Sequence, residues 1–158
     1  MLYPIAQVKG AASTEFYHTS FEAGEEGGNS ANGDARTGLV SKTNGFSKTI
    51  SGLRANTAYV LTYWQKSGGT WSSQRVNIAA SAATSYTISL TGQVDEIRLY
   101  PSGAMMTTYT YLIPAGQSSM TDPNGQTTFF EYDTLARLIA VRDHQGNLLK
   151  TYSYNYKQ

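Results

Sequence analysis

Three acidic side chains, Glu25, Glu26 and Asp34, stand in the loop AGEEGGNSANGDARTG, from Ala23 to Gly38, that closes the stretch STEFYHTSFEAGEEGGNSANGDARTG. Its glycines permit positive φ, and its Asn and Asp can make side-chain turns. Such a loop is either a surface excursion or a wrap held by something, and the carboxylates make a cation a plausible holder. A second group could bind sugar. Trp71, Ser73, Arg75 and Asn77 fall at alternate positions of TWSSQRVNIAA, so they share one face of a strand, with Val76 and Ile78 on the other. An indole stacks on the apolar C–H face of a pyranose, while Arg and Asn bond its hydroxyls. Trp64, Tyr63 and Tyr17 are further candidates. Ordinary packing explains the same aromatics, since large rings are mostly buried.

Catalysis has little to stand on. The histidines are His18, in an alternating run, and His144, in a turn, and neither sits in a motif with a second His, a Cys or an acid pair. A glycosidase needs two carboxylates flanking a bond, and the adjacent Glu25 and Glu26 do not suggest that. No Gly-Lys-Ser/Thr phosphate loop is present, so no enzyme is expected.

The elements that would position these residues are strands. Of 158 residues, twelve are Tyr, five Phe and two Trp, and only 15% are charged. Short runs of β-branched and aromatic residues separated by Gly, Ser, Thr and Asn mark an all-β chain. The net charge of +1 leaves no nucleic-acid footprint. No polybasic run suits a membrane surface, and no apolar run approaches the roughly 20 residues of a membrane helix. With no cysteine there is no disulfide framework. The opening MLYPIAQVKGAAS lacks the basic flank and apolar run of a signal peptide. A secreted protein would therefore carry its export signal elsewhere in a larger precursor, and residues 1–12 read as a linker.

FSKTIS is a short strand and TAYVLTYWQK a long one, which SGG turns into TWSSQRVNIAA as a hairpin. TSYTISLTG alternates, with Tyr86, Ile88 and Leu90 on one face. QVDEIRLY follows, with Ile97 and Leu99 on one side and Glu96 and Arg98 on the other. One-sided alternation at this spacing indicates a β-sandwich over residues 13–103.

From residue 104 to 158 the texture changes to strand, turn, strand, turn. Asp122-Pro-Asn-Gly125 and Asp143-His-Gln-Gly146 are turn signals 21 residues apart, and Tyr132-Asp133 and Tyr154-Asn155 lie 22 apart. This internal repeat is the mark of a stacked β array. LARLIAVR offers Leu135, Leu138 and Ile139 at helical spacing. It is short and flanked by turns, and a strand accounts for it equally, so a strand is expected.

TTFFEYDTLARLIAVRDHQGN resembles the YD repeat of Rhs-type proteins, Tyr-Asp-x-x-Gly-Arg-Leu followed by Asp-x-x-Gly. Here Ala136 stands for the usual Gly, and Tyr111 is followed by Leu112 where Asp is usual. The ordered set TSFEAG, ARTGLVS, LRANTAYVLTYWQKSGGTW and GQVDEIRLYP is similar to jelly-roll carbohydrate-binding modules with a galactose-binding-like fold. The pairing resembles surface Rhs-like proteins of Bacteroidetes, of which this chain would be a C-terminal fragment with a short YD stub.

The resemblance implies a structural Ca²⁺ held by Glu22 and Asp95, with the loop at Arg36, Thr37 and Gly38 adding carbonyls; otherwise those two acids cap turns. It also implies a non-catalytic, extracellular or cell-surface module for glycan binding or adhesion, with a polysaccharide and the rest of the parent protein as partners. A purely structural spacer or protein-binding domain of an Rhs-like β shell is the alternative.

Overall fold

The computed structural model describes residues 3–155, and all the regular structure among them is β. Twelve antiparallel strands form three sheets. A four-stranded sheet has the order β2 (Tyr17–Thr19), β7 (Gln93–Pro101), β4 (Thr57–Ser67), β5 (Thr70–Ser81). A two-stranded sheet pairs β3 (Phe46–Ser51) with β6 (Ser85–Leu90). A six-stranded sheet runs β1 (Ala6–Lys9), β8 (Met105–Leu112), β9 (Gly116–Thr121), β10 (Thr127–Tyr132), β11 (Leu138–Arg142), β12 (Leu148–Thr151).

The first two sheets form a β-sandwich. Alternation sends Tyr59 and Leu61 of β4, and Ile97 and Leu99 of β7, into one core with Phe46 and Ile88 from the smaller sheet. Fully burying side chains of this size contributes about 1.5–3 kcal/mol each. The opposite face of β4 and β7 is covered as well. Val60 and Tyr100 pack there with Met106 of β8, flanked by Ala6, Val8 and Phe16. Strand β7 is therefore buried almost end to end, although its sequence alternates apolar with charged.

Two expectations about the array bear on function. Within LARLIAVR, Leu138–Arg142 is extended as β11 because it pairs on both sides, Phe130 with Val141 and Val141 with Lys150, while Leu135–Arg137 belong to the turn before it. Residues 1–12, expected as a linker, are corrected in part: Ala6–Lys9 pair with Thr108–Met105 as the first strand of the six-stranded sheet. The run is short and its partner lies about a hundred residues away in sequence, so nothing local marks it as a strand.

The array is built on one turn used three times. In Asp122–Gln126, Asp133–Arg137 and Asp143–Asn147 the fourth residue's N–H donates to the Asp carbonyl, at 3.0, 2.9 and 3.0 Å. One oxygen of each Asp carboxylate also accepts the amides two and four residues on, all at 2.8–2.9 Å. The fourth position is left-handed each time, Gly125 at φ 80°, Ala136 at φ 59° and Gly146 at φ 88°. The tyrosines repeat too. Tyr132 donates its hydroxyl to the Gln117 carbonyl at 2.9 Å, and Tyr154 to that of Leu138 at 2.8 Å. Tyr111 donates to Pro4 at 2.8 Å, so the segment leading into β1 supplies the acceptor that an earlier repeat would supply.

Candidate functional site

Between the four-stranded sheet and the array lies a buried polar junction. A bulge in β7 opposite Thr62–Trp64 and a positive φ of 51° at Glu96 turn that side chain inward. Glu96 and Arg98 are each only 2% exposed. The Glu96 carboxylate accepts hydroxyls from Ser20 at 2.9 Å and Thr37 at 3.1 Å, and that of Thr108 from the array. Burial pushes this carboxyl up; the charge of His18, the Thr108 hydroxyl, Arg98 and the Ser20 hydroxyl outweigh it and hold it below the ordinary glutamate value. Arg98 donates to the Met106 carbonyl and, at 3.1 Å, to that of Asp122.

Arg36, from the loop after β2, completes the junction. Its guanidinium lies between the Trp64 ring, 4.2 Å away, and the Phe129 ring, 4.9 Å away, and donates to the His144 carbonyl at 2.7 Å. The sandwich loop, the sandwich sheet and two array elements thus meet on one side chain. Burial pulls its affinity for the proton down, while Asp95 and Glu96 push it up.

A serine, a histidine and a glutamate meet here as well. In a nucleophilic triad the acid orients the histidine, which takes the serine proton. In this chain Glu96 accepts the Ser20 hydroxyl itself, the His18 Nδ1 faces the Ile97 carbonyl at 3.0 Å, and Ser20 is fully buried. Ser20 Oγ also lies 3.3 Å from His18 Nε2, so the three side chains form one buried hydrogen-bond network.

Beside the junction, where the array leaves the β5 side of the sheet uncovered, a cleft of about 250 Å³ opens. Of the expected sugar-binding residues, Tyr63, Trp64 and Arg75 line it, facing Asn124, Gln126 and His144 from the array turns. Trp71 and Asn77 do not. The expected face sharing along β5 is consistent with the register, which sets Trp71 beside Lys66, Ser73 beside Trp64 and Arg75 beside Thr62. Trp71 is one row beyond the cleft, with the Lys66 ammonium 5.6 Å from its ring. Asn77 accepts from Arg75 Nε at 3.3 Å. Tyr17 packs in the sandwich, stacked on Phe46 at 6.3 Å.

The proposed calcium ligands Glu22 and Asp95 both reach the loop, but they meet N–H donors there. Glu22 Oε1 accepts the amides of Leu39 at 2.7 Å and Val40 at 3.1 Å. Gly38 permits this approach, since a Cβ there would stand 2.3 Å from that oxygen. Asp95 accepts the amides of Arg36, Thr37 and Glu96 at 2.7–2.9 Å. Burial pushes Glu22 and Asp95 above the ordinary carboxylate range, and these amide bonds pull the other way. Thr37 spends its hydroxyl on Glu96. N–H groups thus fill Glu22 Oε1 and Asp95 Oδ2 and take one lone pair of Asp95 Oδ1, so the oxygens turned to the loop hold amides in the place a cation would take. Among the described residues no three His, Cys, Asp or Glu side chains group as metal ligands. The loop acids are partnered separately: Glu25 with the Ser20 amide and Thr19 hydroxyl, Glu26 with Lys48, and Asp34 with Lys66.

The sequence reading names Arg36 for its carbonyl alone, and neither its guanidinium nor Glu96 or Arg98 as a site group. Only the last two left a sign, as charges facing away from Ile97 and Leu99 in a strand with apolar residues at both ends. Compared with known proteins, the chain matches no family model, no curated protein and no solved structure.

Proposed function

We propose that this chain is a non-catalytic module of a larger extracellular or cell-surface protein, in which a jelly-roll-like sandwich anchors and orients a YD-type strand array. The observation that carries this reading is the burial of Glu96 and Arg98, beside the half-buried Arg36, between sandwich and array, each hydrogen-bonded to a partner across the boundary. Buried polar contacts of this kind demand one register, because any slip leaves charges unpaired in a dry interface. The array ends in β12, whose outer edge faces no strand among the described residues, and Leu148 and Leu149 there are 53% and 60% exposed. That edge suits continued stacking of strands in the parent protein.

Calorimetry of the whole chain tests the anchoring. One transition is expected, with calorimetric and van't Hoff enthalpies equal. Arg36→Ala is expected to lower Tm by about 4–8 °C, from about 2 kcal/mol of lost stacking and hydrogen bonding. Two independent transitions in the unaltered protein would mean that the sheets are merely neighbours, and the anchoring role would fall.

A second reading, saccharide binding, is favoured by one specific observation: the cleft brings Trp64 and Arg75 to the same wall.

A further inference from the structure

The cleft carries an arginine that pairs with no carboxylate among the described residues. Arg75 is exposed on the edge strand β5, and its side-chain contact is the Asn77 amide oxygen. It has no carboxylate partner among the described residues, whereas Lys48, Arg54, Lys66, Arg137 and Arg142 all have one. Behind it, Arg98 lies in the cleft floor with an Nε–H that meets no acceptor among the described residues. Glu96 lines the cleft too and keeps its negative charge, which faces Arg98, so the cation left without a counter-charge is Arg75. Glu96 holds three hydroxyls, and one oxygen of Asp122 holds the amides of Asn124 and Gln126. A concave wall with unpaired guanidinium charge focuses a positive potential.

The remaining lining is that of a sugar site. Trp64 contributes an indole held in place by the Arg36 guanidinium at 4.2 Å. Ser73, Asn124 and Gln126 supply a hydroxyl and two amides, which both donate and accept. The volume of about 250 Å³ is below the roughly 300–1,000 Å³ of pockets that engulf a drug-sized ligand. It suits one ring of a longer chain crossing the junction.

We infer that the cleft between the sandwich and the array turns binds a carboxylated saccharide, a uronate residue within a polysaccharide. The carboxylate meets the Arg75 guanidinium, whose fork matches its two oxygens, and the ring lies against Trp64. This rests on the saccharide-binding reading and adds the ligand's charge.

The test is titration of the whole chain with trigalacturonate and with its neutral methyl ester, followed by calorimetry and amide NMR shifts. Trigalacturonate binds, with shifts at Arg75, Asn124 and Gln126. The ester binds about tenfold more weakly. Arg75→Gln loses about the same factor, and Lys9→Gln, which removes one charge from an exposed site outside the cleft lining, loses none. Equal binding of acid and ester, or an Arg75→Gln variant that binds like the unaltered chain, overturns the uronate assignment and leaves a neutral-sugar site. Binding of neither ligand overturns the saccharide reading with it.

Discussion

Ala136 is the one member of the three equivalent turns whose left-handed position is not glycine. Its φ of 59° places a Cβ against the following carbonyl, at a cost of about 1–2 kcal/mol for an L-residue. Replacing it with Gly removes that cost. It also makes the unfolded chain freer by about 0.5–1 kcal/mol. The net expectation for Ala136→Gly is a gain of about 0.5–1 kcal/mol, or about 1–4 °C in Tm for a chain this long. The array contains its own controls. At Gly125 and Gly146 an added Cβ would meet nothing within 4 Å, so Gly→Ala there changes the backbone preference and nothing else. Those two variants are expected to lose about what Ala136→Gly gains. Urea melts of the three variants beside the unaltered protein measure this, with an unchanged m-value showing that the unfolded state is the same. A neutral or destabilising Ala136→Gly, beside two costly Gly→Ala variants, would show that the turns are not equivalent and would refute the reasoning.

The other predictions concern the junction, the tyrosine tie and the loop. Glu96→Gln is expected to cost about 3 kcal/mol at neutral pH, because it removes the charge that faces Arg98 and three hydroxyls. Since the folded-state value of Glu96 lies below its ordinary 4.5, this advantage of the unaltered chain is present above that pH and is lost as pH falls through the lower value; parallel denaturation curves at stepwise lower pH should converge, and a constant gap would contradict it. Tyr132→Phe deletes the hydroxyl on the Gln117 carbonyl and should cost about 1 kcal/mol by the same melts, while an unchanged midpoint would make that bond incidental. Because amides close the loop onto Glu22 and Asp95, a chelator should leave Tm where it was, and a drop of several degrees in EDTA restored by calcium would show that the loop opens to take the ion.

Much of the sandwich was readable because a one-sided alternation has a single solution. Ile88 and Leu90 against Ser89, or Ile97 and Leu99 against Arg98, fix which side points inward. What alternation cannot say is whether the other side is wet. Glu96 and Arg98 are buried by a sheet formed later in the chain, and a charged residue reads the same whether it meets water or a fitted partner. The sugar platform was half legible for a similar reason. Trp71, Arg75 and Asn77 share a face as parity requires, but which row borders the cleft depends on how far the array reaches across β4 and β5. The repeat was seen through its two Asp-x-x-Gly turns. The third, at Asp133, showed only through the YD resemblance with Ala136 in the glycine's place, since its identity lies in the carboxylate's bonds to Leu135 and Arg137 more than in the glycine.

Strand β1 comes before the sandwich and β8 after it, and the two are paired neighbours. A Cβ on Gly10 would lie 3.6 Å from the Cα of Ala104, so the chain leaves the ladder and re-enters it at nearly the same point. The sandwich is thus a guest looped out of a host sheet, with two attachment points instead of one. A guest on a single tether swivels like a bead on a string. One held by two adjacent strands has no such swivel, and its cleft keeps a fixed heading relative to the stack that carries it. Such an insertion also separates the two inheritances: the guest can be exchanged for another whose ends lie equally close, while the host ladder keeps its register.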